Sequence, residues 1–325
     1  MLLPNNIRKI FITGGAGFIG SHIVDILLDK EYKVTVFDNL STGEKSWIEK
    51  HFVDDNFKFI QGDILDLDHT KKSMRGHDLV WHLAANTNIP IGFTNTDFDL
   101  KNNVIGTYNV LESMRLNYIQ PILFSSTGAI YGDLCKRNAV TENIGPILPV
   151  SLYGASKLGC EGFISAYCKL FNLRAWIFRF GNVIGSRMKR GVIYDFINKL
   201  NINSSELEIL GDGKQEKNYF LVEECIDGMI YALRNFGLTE EKPCDIFNLG
   251  TDSITKVTTI AKLIIDEMGI KNVKINFTGG ETGWAGDQPQ VHILSDKMHE
   301  LGWYTKNTSD EAVKIAIKRL LKTDE

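Results

Sequence analysis

Residues 9–30, KIFITGGAGFIGSHIVDILLDK, place Gly14, Gly17 and Gly20 between a short apolar run and a helically spaced one. A strand that turns at once into a helix needs residues without side chains at the turn. Such a turn lets the backbone close on a pyrophosphate. The helix start then offers N–H groups and the positive end of its dipole. The spacing is G-x-x-G-x-x-G rather than G-x-G-x-x-G, so the turn alone does not specify a dinucleotide site.

The following strand supplies context. It ends in VFDNLSTG, with Asp38 standing about 20 residues beyond the glycines, where a ribose-binding acid belongs. An isolated Asp at a strand end would be read as a solvated acid. At this distance from the glycines, a carboxylate accepts hydrogen bonds from the adenosine ribose hydroxyls and repels a 2′-phosphate. That favours NAD over NADP.

The alternation continues with FKFIQGDI, DLVWHLAA, PILFSST and RAWIFRFGNV as strands. Between them, DLKNNVIGTYNVLESMRLN and YGASKLGCEGFISAYCKLFN predict long helices. Strands apolar on both faces and separated by helices predict a Rossmann-type, doubly wound parallel sheet of the α/β class. After about residue 181 the chain turns polar and glycine-punctuated, and LNINSSELEILGDGKQEKN reads as loop. The end of the chain mixes short strands with two helices, predicting a smaller C-terminal α/β substrate domain. CDIFNLGTD reads as a strand returning to the first domain. The expected division is 1–181 with about 220–250 for the dinucleotide domain, and 182–219 with 251–325 for the second.

The length of 325 residues suits about two domains, and the formal net charge of −4 gives no reason to expect nucleic acid or an anionic membrane as partner. No apolar run approaches the roughly 20 residues of a membrane-spanning helix. The N-terminal segment runs directly into a strand pattern, so no signal peptide is expected. Five scattered cysteines without a C-x-x-C are expected to be reduced thiols, with no metal site and a cytoplasmic location.

YGASK sets Tyr153 and Lys157 four apart, on one face of a helix. A free phenol titrates near pH 10. The lysine ammonium and a positive nicotinamide ring are expected to favour the phenolate and fit it for general-base work. Thr127 could bond the same substrate oxygen. Tyr and Lys at this spacing are usually mere surface neighbours; the glycine turn, Asp38 and Thr127 together give the pair its catalytic meaning.

With those residues in view, the chain resembles the extended short-chain dehydrogenases/reductases of the nucleotide-sugar epimerase and dehydratase group. The matching stretches, in order, are TGGAGFIGSHIV, DNLSTG, GDILD, HLAA, NNVIGTYNVLES, FSSTGAIYG, SLYGASKLGCE, RFGNVIG, ILGDGKQEKNY and GWAGDQPQV. The resemblance implies Thr127, Tyr153 and Lys157 as the catalytic set. It implies NAD contacts from Phe18 and Ile19 of the first helix, and from Asn39, Ser41, Thr42 and Gly43. Asp63 and Ile64 would flank the adenine, and Leu83, Ala84 and Ala85 would line the cofactor channel. Asn103 would support the site, with Ser125, Tyr153 and Lys157 also near the cofactor.

For the substrate, the resemblance implies Thr87 and Thr127 at the sugar, and Asn182 and Lys217 at the diphosphate. The backbone at Glu208 and Leu210 would lie along the base, usually uracil. Two departures stand out. Lys217 keeps a charge where relatives have Arg but loses the bidentate fork. Trp284 replaces a second phosphate-binding Arg; it could stack on the base or sugar, or simply plug a domain interface. Asp287 could reach a ribose hydroxyl, and Val291 leaves room for an N-acetyl group where a bulky Tyr restricts other members to plain hexoses.

Gly128 and Ala129 stand where related dehydratases carry an acid and a base, and neither moves a proton. Hydroxyl, phenol and lysine beside NAD suffice for reversible alcohol oxidation. The expected activity is therefore C4 epimerisation of a UDP-sugar, either the UDP-GlcNAc/UDP-GalNAc or the UDP-Glc/UDP-Gal pair. A nucleotide-sugar dehydratase or 4-ketoreductase is the nearest alternative, and a non-catalytic NAD-binding protein a more distant one. The resemblance also implies a homodimer through a four-helix bundle, with Val104, Tyr108, Leu111, Phe163 and Tyr167 as interface or core positions.

Overall fold

A computed structural model describes residues 2–136, 139–284 and 286–323. They form two compact units. One gathers residues up to Thr127 with Leu152–Arg179 and Ile226–Phe247; the other gathers Gly128–Ser151, Phe180–Cys225 and the chain from Asn248 onward.

The first unit is built on a seven-stranded parallel sheet. Its strands are β1 (Lys9–Thr13), β2 (Lys33–Asp38), β3 (Phe57–Gln61), β4 (Leu79–His82), β5 (Pro121–Thr127), β6 (Arg174–Phe180) and β7 (Cys244–Leu249). They lie in the order β7-β6-β5-β4-β1-β2-β3, so CDIFNLGTD does return to this sheet. Burial explains the choice of strand. In β1, β2 and β6 only the first residue is exposed and the rest are buried, as helices on both faces require. Strand order reverses between β1 and β4, the switch point where doubly wound sheets bind ligands.

Helix α1 (Phe18–Asp29) follows β1, α2 (Gly106–Leu116) precedes β5, and α3 (Leu152–Phe171) precedes β6. Leu111 of α2 and Tyr167 of α3 sit in the core with Phe11, Val80 and Ile122. The stretch predicted as one helix from residue 99 begins differently: Leu100–Ile105 wind as a π-helix before α2 starts. A polar Lys-Asn-Asn carries no apolar period that could reveal the extra residue per turn.

The second unit is assembled from short pieces. Asn182–Ile184 pairs in parallel with Tyr219–Leu221, and Glu216–Lys217 lies between Thr255–Lys256 and Gln290–Val291. Part of the expected loop is regular. Leu200–Ile202 end the helix Val192–Ile202, and Glu206–Ile209 is a strand paired with Lys274–Phe277. Its four-residue alternation is too short to stand out among Asn, Ser and Gly. Among the described residues, the chain end holds three helices rather than two, Val257–Glu267, Asp296–Glu300 and Ser309–Thr323. The middle one, at five residues, is shorter than a readable helical period. Among the described residues, no helix is long and apolar enough to cross a membrane.

Candidate active site

The glycine turn is closed by its own backbone. Gly14 has φ +71°, and a Cβ there would lie 2.7 Å from the Ala84 nitrogen. A Cβ on Gly20 would lie 2.3 Å from the Gly14 carbonyl oxygen. Gly17 caps α1 without a side-chain hydrogen bond, so the first N–H groups of that helix, at Phe18 and Ile19, are left for a ligand. These contacts, rather than propensity, explain why the turn is glycine.

Asp38 closes β2 and is buried. Its carboxylate accepts from the Ala16 N–H at 2.9 Å and the Leu40 N–H at 2.8 Å, tying the glycine turn to the next loop. Burial raises its carboxyl above the ordinary carboxylate value, and the two backbone donors oppose this. Each oxygen keeps a further lone pair for a ribose hydroxyl. Asn39 donates to Asp63 at 3.0 Å and accepts from the Ser41 N–H, while Ser41 and Thr42 are exposed. A Cβ on Gly43 would lie 2.9 Å from the Ala16 backbone. Ile64 is buried, its carbonyl held by Asn109. Leu83, Ala84 and Ala85 follow β4 partly exposed, with Leu83 bonded to Thr13, and Thr87 is exposed beyond them.

At the end of β5 and the start of α3, the Thr127 hydroxyl hydrogen-bonds the Tyr153 phenol. Lys157 Nζ donates to the Ser125 carbonyl at 2.7 Å and lies 4.7 Å from the Phe124 ring centroid. The expectation that the ammonium lowers the Tyr153 pKa does not hold for these residues alone. Burial pushes the phenol up to about 12, against the Thr127 bond. Burial also brings Lys157 down to about 8, against Cys160, Glu161 and Asp99. At Lys157 desolvation outweighs the neighbouring charges, whereas at Tyr153 Asp99 and Cys160 act in the same direction as burial.

Apart from Asn103, sequence reasoning missed the polar frame around this pair. Asn103 donates to Ser156 Oγ at 2.8 Å and to Asp99 Oδ1 at 3.1 Å, and accepts from the Asn86 N–H. Ser156 in turn donates to the Tyr153 carbonyl at 2.8 Å. His82 lies fully buried between Thr13 and Thr107, its pKa lowered by burial to about 3 and so neutral. One turn beyond Lys157, Glu161 forms a buried bidentate pair with Arg179 and accepts from Ser126. The signal for Glu161 was present: 153, 157 and 161 share one helical face.

In the second unit, Lys217 and Val291 are register partners. Lys217 Nζ reaches Asp287 Oδ1 at 3.0 Å, and Asp287 Oδ2 accepts from the Gly283 N–H. The carbonyl of Trp284, which is partly exposed, accepts from the Asp287 N–H. Asn182 donates to the Asn218 carbonyl. The carbonyls of Glu208 and Leu210 are taken by Lys199 and Gln215. Val291 is buried, with Cγ1 3.5 Å from where a Cβ on Gly128 would sit.

A glycine cradle at a strand-order reversal, a buried carboxylate on the next strand and a hydroxyl–phenol–lysine group define a dinucleotide-dependent enzyme. Known proteins give the family. Residues 10–250 match the model of the NAD dependent epimerase/dehydratase family, and the chain belongs to that family. A Methanocaldococcus jannaschii protein provisionally named UDP-glucose 4-epimerase is 35% identical over 94% of this chain and 96% of its own. A dTDP-D-glucose 4,6-dehydratase of Dictyostelium discoideum is 32% identical over 80% of this chain and 62% of its own. A solved UDP-galactose 4-epimerase superposes with TM-score 0.84 at 32% identity, covering 97% of this chain and 99% of that one. The cofactor is NAD. The residues present fit it: Gly14 and Gly20 leave space only for backbone, and Asp38 presents an enclosed carboxylate.

Proposed function

We propose that this enzyme is an isomerase that inverts C4 of a UDP-sugar. The observation that carries this reading is Gly128. It follows Thr127 directly, and the space its Cβ would need is bounded by the Phe180 carbonyl at 3.2 Å, Ile293 at 3.4 Å and Val291 at 3.5 Å. Neither it nor Ala129 can supply the acid or base that elimination of water requires.

When bound, NAD supplies the carbon that takes the hydride from the sugar C4 and returns it to the other face, together with a second positive charge. Tyr153 takes the proton of the sugar 4-hydroxyl as C4–O becomes a carbonyl, and gives it back once the ketose has turned over. Thr127 steadies the same oxygen, and Lys157 holds the phenol's field from its anchor on Ser125.

The first unit is the NAD-binding domain in this reading and the second the nucleotide-sugar-binding domain. Asn182 and Lys217 take the diphosphate, with Asp287 setting the Lys217 ammonium in place of a bidentate arginine. Glu208, Leu210 and Trp284 attend the base, and Thr87 the sugar. Val291 leaves room for an N-acetyl group.

The test is an NMR equilibrium assay with catalytic NAD⁺ and UDP-Glc or UDP-GlcNAc in parallel. The C4-inverted sugar is expected without net NADH, and the faster tube identifies the sugar pair. A 4-keto-6-deoxy product would replace this reading by a dehydratase.

We also propose a homodimer. Leu111 and Tyr167 belong to the core, whereas Tyr108 at 38% and Phe163 at 46% exposure remain for a partner's helices. Sedimentation is expected at twice the chain mass; a monomer at micromolar concentration removes this proposal.

A further inference from the structure

Asp99 is 1% exposed, and only half of its carboxylate is satisfied. Oδ1 accepts from Asn86 Nδ2 at 2.8 Å and Asn103 Nδ2 at 3.1 Å. Oδ2 is buried and has no hydrogen-bond partner among the described residues. An unpaired buried acceptor is costly to keep unless it serves the site. It faces Gly92, whose absent Cβ would lie 3.0 Å from Oδ2 and 3.4 Å from the Cβ of Leu152, the residue before Tyr153. Through Asn103 and Ser156, two further hydrogen bonds lead from Asp99 to the Tyr153 backbone.

We propose that Asp99 is a positioning residue for the Tyr153–Lys157 pair, and that its ionised carboxylate sets the field in which both protons are held. This rests on the reading of Tyr153 as base. On α3, Asp99 acts electrostatically on Tyr153 and Lys157, and Cys160 and Glu161 act on that same lysine. His82 of β4 is neutral. On its own segment, Asp97 and Lys101 pair with each other at the surface. Burial raises the Asp99 carboxyl, while its two amide donors and Lys157 favour the anion.

The sign is fixed. An anion at 99 disfavours the phenolate and favours the ammonium, so removing it lowers both pKa values. Asp99→Asn keeps an acceptor for Asn86 and Asn103 but loses the charge. Both limbs of its kcat/KM profile are expected to move to lower pH by on the order of one unit. In NAD-loaded protein carrying [ζ-13C]tyrosine, the Tyr153 resonance, assigned with Tyr153→Phe, should titrate lower by a similar amount. A drop in rate with both limbs and the phenol titration unmoved would mean a scaffold role or a protonated Asp99, and overturns the proposal. If wild type does not epimerise yet the phenol titration moves, the functional reading fails and the role of Asp99 stands. Asp99→Ser, also uncharged, repeats the test if the amide variant misfolds.

Discussion

Tyr153→Phe is expected to lower turnover of a UDP-sugar by roughly 10²–10⁴-fold, the usual contribution of a positioned acid or base. The substitution removes only the hydroxyl that Thr127 bonds and leaves the ring between its neighbours. Stability should change little, and NAD should still bind, because the glycine turn and Asp38 are untouched. The loss should appear in kcat with KM nearly constant, since the proton transfer belongs to the transition state. Rates from the NMR assay, with circular dichroism and NAD titration as controls, check this. A kcat within a factor of a few of wild type would remove Tyr153 from the chemistry.

Arg179→Leu is expected to cost about 3–5 kcal/mol of stability, the range for breaking a buried ion pair from one side. Glu161 and Arg179 are 5% and 3% exposed, with Nε–Oε1 at 3.0 Å and Nη2–Oε2 at 2.7 Å. Removing the guanidinium strips Glu161 of this bidentate cation. The pair joins α3 to β6, and Ser126 ties β5 to the same carboxylate, so the helix carrying Tyr153 should loosen too. Glu161→Leu/Arg179→Leu is expected to recover most of the loss, because no charge then stays buried. Urea unfolding of the three variants measures it. A single-variant cost under about 1 kcal/mol would mean that water or other groups already satisfy the pair.

Much of the first unit was legible because its strands are buried on both faces and end in turns with particular needs. The apolar runs at 9–13, 33–38 and 121–127 are all sheet strands, and Gly14, Gly17 and Gly20 stand where a Cβ would meet backbone. The four-residue spacing of Tyr153 and Lys157 could be read as one helical face. Less was legible in the second unit, where strands of two to four residues carry too little period to detect. The π-helical start of the segment before α2 was hidden for a related reason, since its polar residues mark no face.

The sequence by itself determined the dinucleotide fold and singled out the Asp38 carboxylate and the Thr127 hydroxyl, Tyr153 phenol and Lys157 amine as the candidate site, because each depends on local spacing or on the length of an apolar run. Tertiary structure alone decided that Asp38 also holds the glycine turn, that Lys217 meets Asp287, and that Asp99 keeps one oxygen unpaired. It likewise decided that burial, not the ammonium, dominates the Tyr153 phenol. These depend on which distant segments desolvate a charge or hydrogen-bond it, and that is determined by packing rather than by residue spacing.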